Sequence, residues 1–330
     1  MRILITGGSG LIGSHIAKQC LERGYTVHSL DNQTCYPFCY LDVYHHIEKD
    51  VVKYHADISN AEQCEQVFSK SKPDYVIHCA AYADVGGCIK NYSKDFNDNV
   101  IGTQNMLEIS RKYNVKKFVF VSSASVYGNK EVSPYTESDV VAPISTYANS
   151  KLWGETQTIL FNNNYNLPAT AIRYFSVYGS PQLPKRGSHS WCIPIFTYQL
   201  ISNKPITIYG DGMQIRDFTH VSDIAHGTIL ALESSATCGE VLNLGTGIKT
   251  SINEVARYAA MFTQTFNGVK HLKPIHGDPT GGYASIEKCS RLLKWRPEIQ
   301  IADGIREHVE WISENYNKSP FKEYLKTVYE

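Results

Sequence analysis

The chain has 330 residues, and its 32 lysines and arginines balance 32 aspartates and glutamates. That neutrality excludes a partner held by net charge alone, whether nucleic acid or an anionic membrane. Nine cysteines without a Cys-x-x-Cys pair read as free thiols of a reducing compartment, and the length suits one large α/β domain with a smaller companion.

The first predicted strand, Arg2 to Thr6 (RILIT), runs straight into GGSGLIG. Gly7, Gly10 and Gly13 follow a G-x-x-G-x-x-G spacing, which differs from the G-x-G-x-x-G of the commonest dinucleotide fingerprint. Their expected uses are a tight turn, close backbone approach to a pyrophosphate, and close packing of helix on strand. The helix they open, about Gly10 to Glu22, aims its first amides and positive dipole end at the phosphates. A second strand, Tyr25 to Leu30, ends in Asp31. A carboxylate there accepts from both ribose hydroxyls and repels a 2′-phosphate, which favours NAD over NADP. With a strand starting at residue 2, no signal peptide is expected, and no apolar run approaches a membrane span; a cytoplasmic protein is expected. His45-His46 and the Cys35/Cys39 pair have no partner cluster at ligand spacing, so no metal is expected.

A third strand, VVKYHADI, ends near Asp57 and Ile58, where an adenine edge can be bound. YVIHCAA, Tyr75 to Ala81, is a continuous apolar strand expected at the sheet centre. Cys79 in it reads as a small buried hydrophobe beside the cofactor, and small Ala80 and Ala81 let the cofactor lie against the backbone. A long helix, roughly Ser93 to Tyr113, contains Asn99. KFVFVSS, Lys117 to Ser123, is the next strand; ligands of open α/β sheets lie beyond the carboxyl ends, where Ser122, Ser123 and Ser125 fall. A helix from about Ser145 to Asn164 carries Tyr147 and Lys151 one turn apart on one face. A free tyrosine is a poor base near neutrality, so a neighbouring ammonium that stabilises phenolate makes it usable.

TAIRYFSVYG is a sixth strand, followed by SPQLPKRGSHSW, a loop long enough for a lid or a substrate strap. Pro205 to Phe218 reads as strand, turn, strand; a helix near Ser222 to Ser234 and the strand EVLNLG return to the sheet pattern. Residues 249–330 hold two or three helices, one with Ile305, Val309 and Ile312 on a single face. Strands alternating with helices predict a Rossmann-type doubly wound parallel sheet. The two domains are expected to interleave: 1–175 with 217–248 for the dinucleotide, 176–216 with 249–330 for the substrate.

Together TGGSGLIGSH, LDN, HCAA, VSSASVYG, YANSK, RYFSVYG, YGDGMQIRDF and NLGTG resemble the extended short-chain dehydrogenase/reductases, and within them the nucleotide-sugar epimerases typified by UDP-glucose 4-epimerase. The resemblance covers nearly the whole chain. It implies backbone amides of Leu11 and Ile12 at the pyrophosphate, Asp31 and Asn32 at the adenosine ribose, Asp57 and Ile58 around the adenine, and Asn99 supporting the nicotinamide-side ribose. It implies Tyr147 as general base, Lys151 on the nicotinamide ribose, and Ser123 on the reacting sugar hydroxyl. Phe175 and Ser176 would border nicotinamide and sugar, Tyr209 would stack near the nucleotide base, and Arg216 would clamp the diphosphate. The implied reaction inverts a sugar carbon, at C4 in the typifying enzyme, through a transient ketone, with tightly held NAD. A homodimer through the helices near 93–113 and 145–164 is also implied.

Departures bear on the substrate. Dehydratases resembling this chain carry acidic residues where Ala124 and Ser125 stand, which weakens the alternative of a dehydratase; a reductase or dehydrogenase on the same site stays open. Ser176 replaces the asparagine of the hexose epimerases and resembles the uronic-acid epimerases, with Arg186 as partner for a carboxylate. The Gly277-Asp278 pair, on the substrate side, lacks its usual preceding diphosphate-binding arginine, a grip that Lys270, Lys273 or His276 would then share.

Overall fold

The computed structural model describes residues 1–34, 48–131, 133–184, 191–274, 281–319 and 321–329. Cys35, Cys39, His45, His46, Arg186, His276 and Asp278 lie outside them. Seven parallel strands form the central sheet: β1 (Arg2–Thr6), β2 (Thr26–Asp31), β3 (Val51–His55), β4 (Tyr75–His78), β5 (Lys117–Ser123), β6 (Ala169–Tyr174) and β7 (Val241–Leu244). Their order is β7-β6-β5-β4-β1-β2-β3. The chain first builds outward from β1 and then reverses direction at β4. That reversal opens a crevice beyond the carboxyl ends of β1 and β4, where ligands of this architecture bind.

The period of two in the strands sorts side chains between two helical layers. Ile3, Ile5, Val119, Val121, Ile172 and Tyr174 face the helices Leu11–Glu22 and Val221–Glu233. Leu4, Val76, Phe118, Phe120 and Ala171 face Ala61–Ser71, Gly102–Lys112 and Thr146–Tyr165. Phe118 is fully buried and Phe120 nearly so, each contributing about 1.5–3 kcal/mol of apolar burial. A third core joins the helices Cys192–Ile201, Ile252–Thr263 and Ile301–Asn315 around the strand Ile206–Tyr209; Ile305 and Val309 point into it, while Ile312 packs in a neighbouring cluster.

Local chemistry sets the helix that matters most. Ser145 accepts from the Ala148 amide at 3.1 Å and starts Thr146–Tyr165; Asn166 ends it at φ 56°. Ser251 and Glu254 form a capping box ahead of Ile252–Thr263.

Three features depart from the sequence reading. The strand Tyr75–His78 stops before Cys79, because the Ala80 amide turns to the Thr6 side-chain hydroxyl of β1 instead of a backbone carbonyl. The helix expected over 93–113 is broken into Tyr92–Asp95, a π-helical segment Phe96–Ile101, and Gly102–Lys112. The strand, turn and strand read over 205–218 are present, and their partners lie far along the chain: Ile206–Tyr209 runs parallel to Val269–Leu272, and Ile215–Arg216 antiparallel to Thr250–Ser251. The described residues of 249–330 hold four helices, the two beyond Ile252–Thr263 and Ile301–Asn315 being Glu287–Leu293 and Phe321–Tyr329. Among the described residues no helix is long and apolar enough to cross a membrane.

Candidate active site

A cavity of about 510 Å³ lies beyond the carboxyl ends of β1, β4 and β5, within the range of small-molecule sites. Its wall runs from Gly7, Gly10, Leu11, Ile12 and Gly13, past Asp31, Asn32 and Ile58, to Cys79, Ala80 and Ala81. It continues along Ser122, Ser123, Ser125, Tyr147, Lys151, Phe175 and Ser176 to Arg216.

The dinucleotide end is shaped by absent side chains. Gly7 sits at φ 69°, and a Cβ there would lie 2.7 Å from the Ala80 nitrogen. A Cβ on Gly13 would lie 2.2 Å from the Gly7 carbonyl oxygen. Both positions therefore require glycine. Asp31 closes this end: its carboxylate accepts from the Ser9 amide at 3.0 Å and the Gln33 amide at 2.7 Å. Burial raises the Asp31 pKa, and those two amides pull it back. A cradle that excludes any Cβ, a helix N-terminus and a half-buried carboxylate at the far end fit a dinucleotide.

At the other end, Tyr147 and Lys151 share the first turns of their helix, as the spacing predicted. The Lys151 nitrogen lies 5.9 Å from the Tyr147 ring centroid and donates to the Val121 carbonyl at 2.8 Å. Burial pulls Lys151 down to about 8. Burial also pushes Tyr147 up to about 12, opposed by the Ser123 hydroxyl bonded to it. In this arrangement desolvation dominates the phenol, and the Ser123 hydroxyl is the group that works against it. Ser123 also accepts from the Ser125 amide at 3.2 Å, capping the short turn Ala124–Tyr127. The buried Ser125 hydroxyl has no hydrogen-bond partner among the described residues, so a ligand hydroxyl is its natural complement.

Other expected contacts fall differently. Ser122 reaches the wall, but its hydroxyl is given to Glu155 at 2.9 Å. Asn99 is 2 % exposed and lies behind the wall; its amide accepts from the Tyr82 nitrogen at 2.8 Å and donates to Asp95 at 2.5 Å. It shapes the Tyr82 backbone instead of lining the cavity. Asp57 also stands behind the wall, accepting from Asn32 at 3.0 Å. Burial raises its pKa, but Ser59 and Asn32 outweigh that and hold it below the ordinary carboxylate value. Tyr209 is 37 % exposed on its strand and is not part of the cavity wall.

Sequence reasoning missed Asp217, which is 1 % exposed. It accepts from the amides of Thr246 at 2.8 Å, Gly247 at 2.9 Å and Ala284 at 2.9 Å, so two segments converge on one carboxylate behind Arg216. Its signal was present as the residue after the arginine in QIRDF. Gln182, Trp191 and Tyr135 also line the cavity without having been singled out. Lys151 and Arg216 are the lysine and arginine side chains of the described wall. Among the described residues no group of three histidine, cysteine, aspartate or glutamate side chains is placed to hold a metal.

Residues 3–245 match the model of the NAD dependent epimerase/dehydratase family. The chain belongs to that family. A UDP-glucuronate 4-epimerase of Thermodesulfobacterium geofontis is 32% identical over 317 residues, 94% of this chain and 96% of the relative. The UDP-glucose 4-epimerase of Thermotoga maritima, solved with UDP-glucose, superposes with a TM-score of 0.89 at 32% identity, over 95% of this chain and 99% of the other. That of Thermus thermophilus, solved with NAD, gives 0.88 at 32% identity, over 96% and 100%. The family member therefore has the Rossmann-type fold that the sequence predicted.

Proposed function

We propose that this chain is an NAD-dependent nucleotide-sugar epimerase that inverts C4 of a sugar carried on a nucleoside diphosphate. One observation carries the reading: Tyr147 and Ser123 border the same cavity whose other end is the glycine cradle and Asp31. NAD, when bound, supplies reversible hydride acceptance at the carbon being inverted. Gly7, Gly10, Gly13, Leu11 and Ile12 would hold its pyrophosphate, Asp31 its adenosine ribose, and Lys151 its nicotinamide-side ribose.

Tyr147 takes the proton of the sugar hydroxyl and later returns it, while Ser123 holds that hydroxyl in line with the phenol. Proton transfer of this kind contributes roughly 10²- to 10⁴-fold. Arg216 neutralises the diphosphate, and residues 176–216 with 249–330 form the sugar-nucleotide side. Ala124 and Ser125 carry no acid, so elimination of water lacks the proton donor it needs. Ser176 leaves room for hexose or uronic acid alike.

The same helices carry a homodimer in this reading. Tyr92, Phe96, Ile101 and Leu160 are exposed apolar residues on the segments 92–101 and 146–165, a patch that a second copy covers.

The test incubates purified protein with UDP-, dTDP-, GDP- and CDP-sugars and follows products by NMR. Conversion between C4 epimers without net change in reduced cofactor is expected. Net reduction or loss of water would move the chain to the alternative reading.

A further inference from the structure

Tyr147, Lys151 and Glu155 are spaced four residues apart and share one face of the helix Thr146–Tyr165. Each is tied to the end of β5. The phenol meets the Ser123 hydroxyl, the ammonium donates to the Val121 carbonyl at 2.8 Å, and the Glu155 carboxylate accepts from the Ser122 hydroxyl at 2.9 Å. Glu155 also accepts from Arg173, from Nε at 2.9 Å and Nη2 at 2.5 Å. Arg173 stands directly opposite Ser122 in the pairing of β5 with β6. The two charged side chains are 5% and 4% exposed.

A buried ion pair is a weak stabilising device, because apolar residues of similar volume often do as well. Its geometric demand is strong, since a bidentate guanidinium–carboxylate pair accepts few arrangements. Here that demand fixes one helix against two strands, two turns from the phenol.

We infer that Glu155, held by Arg173 and Ser122, is a positioning residue that sets where the Tyr147 phenol sits relative to Ser123. The inference rests on the epimerase reading above. A helix free to slip on β5 separates phenol and serine, and a displacement near 1 Å can cost on the order of 10²-fold in rate. The loss falls on kcat, because Ser122 meets the cavity wall with its hydroxyl turned to Glu155, and Lys151 keeps its own tie to the Val121 carbonyl.

The test uses the NAD-loaded enzyme and two variants, Ser122→Ala and the double variant E155L/R173M. The double variant removes both buried charges together, so neither is left unpaired. Three quantities are read: thermal midpoint, nucleotide released per chain on denaturation, and kcat and KM per NAD-loaded site. The expected result is nucleotide content and KM within twofold of the parent, with kcat lowered about tenfold in Ser122→Ala and further in the double variant. A purely structural role lowers the thermal midpoint and leaves kcat per loaded site unchanged, and that result overturns the inference. If the double variant does not fold, Ser122→Ala decides alone by the same criterion. A parent enzyme without epimerase activity, or a Tyr147→Phe variant with full activity, would instead sink the functional reading.

Discussion

Tyr147 separates what residue type and spacing can tell from what only packing can. The Tyr-x-x-x-Lys spacing placed both side chains on one helical face, and they stand there. Their charges were not legible, because the balance between an ammonium and burial depends on neighbours remote in sequence. Replacing Tyr147 by Phe removes the proposed proton acceptor and leaves the ring's packing; kcat should fall by at least about 10²-fold while bound NAD persists. Mass spectrometry of released nucleotide, beside an NMR assay of turnover, checks both halves. Asn99 and Tyr209 teach the opposite lesson. Each occupies a recognisable motif position, yet one is spent on Tyr82 and the other faces solvent. A motif fixes a place along the chain, and only the fold decides which way the side chain turns.

At the scale of elements, strand pattern and glycine spacing were the most readable features, since each is a local steric demand. Gly13→Ala should leave the sheet intact and abolish retention of NAD, because the added methyl meets the Gly7 carbonyl inside the turn. Circular dichroism with nucleotide content after gel filtration tests this. The π-helical stretch Phe96–Ile101 and the antiparallel pair around Arg216 were not readable, as both depend on partners far along the chain. Lys117 is another such case. It opens β5 yet is 3% exposed, donating to the Ala231 carbonyl at 2.8 Å and to the Thr237 hydroxyl at 2.6 Å. Burial lowers its pKa from 10.5 to about 8. Between those values the unfolded chain binds the extra proton, so this group makes stability rise with pH from about 8 to 10.5. Lys117→Met should remove that rise, which urea unfolding at roughly pH 7.5 and roughly pH 9.5 would measure.

For the whole molecule, the histidines set the acid limit. His15 and His220 are pulled to about 4, and His78 and His308 to about 3, all chiefly by burial. Their folded values lie below the unfolded value of 6.5, so the stability they protect is complete above that pH and drains as pH falls toward 4. Each imidazole contributes a slope of up to about 1.4 kcal/mol per pH unit in that window. Substituting His308→Gln should flatten the acid limb of a thermal-midpoint profile. The proposed homodimer belongs to the same scale: if it forms through this patch, Phe96→Glu with Leu160→Glu should yield monomers in sedimentation analysis. The helix Thr146–Tyr165 connects these levels. It is 20 residues long, about 30 Å of stiff rod, with the phenol at one end and Leu160 and Tyr165 bare toward the other. Leu160 at that outer end belongs to the patch proposed to meet a second copy, so parting the two copies would tug on a lever whose tip is the proposed proton acceptor and slow turnover without competing with the sugar.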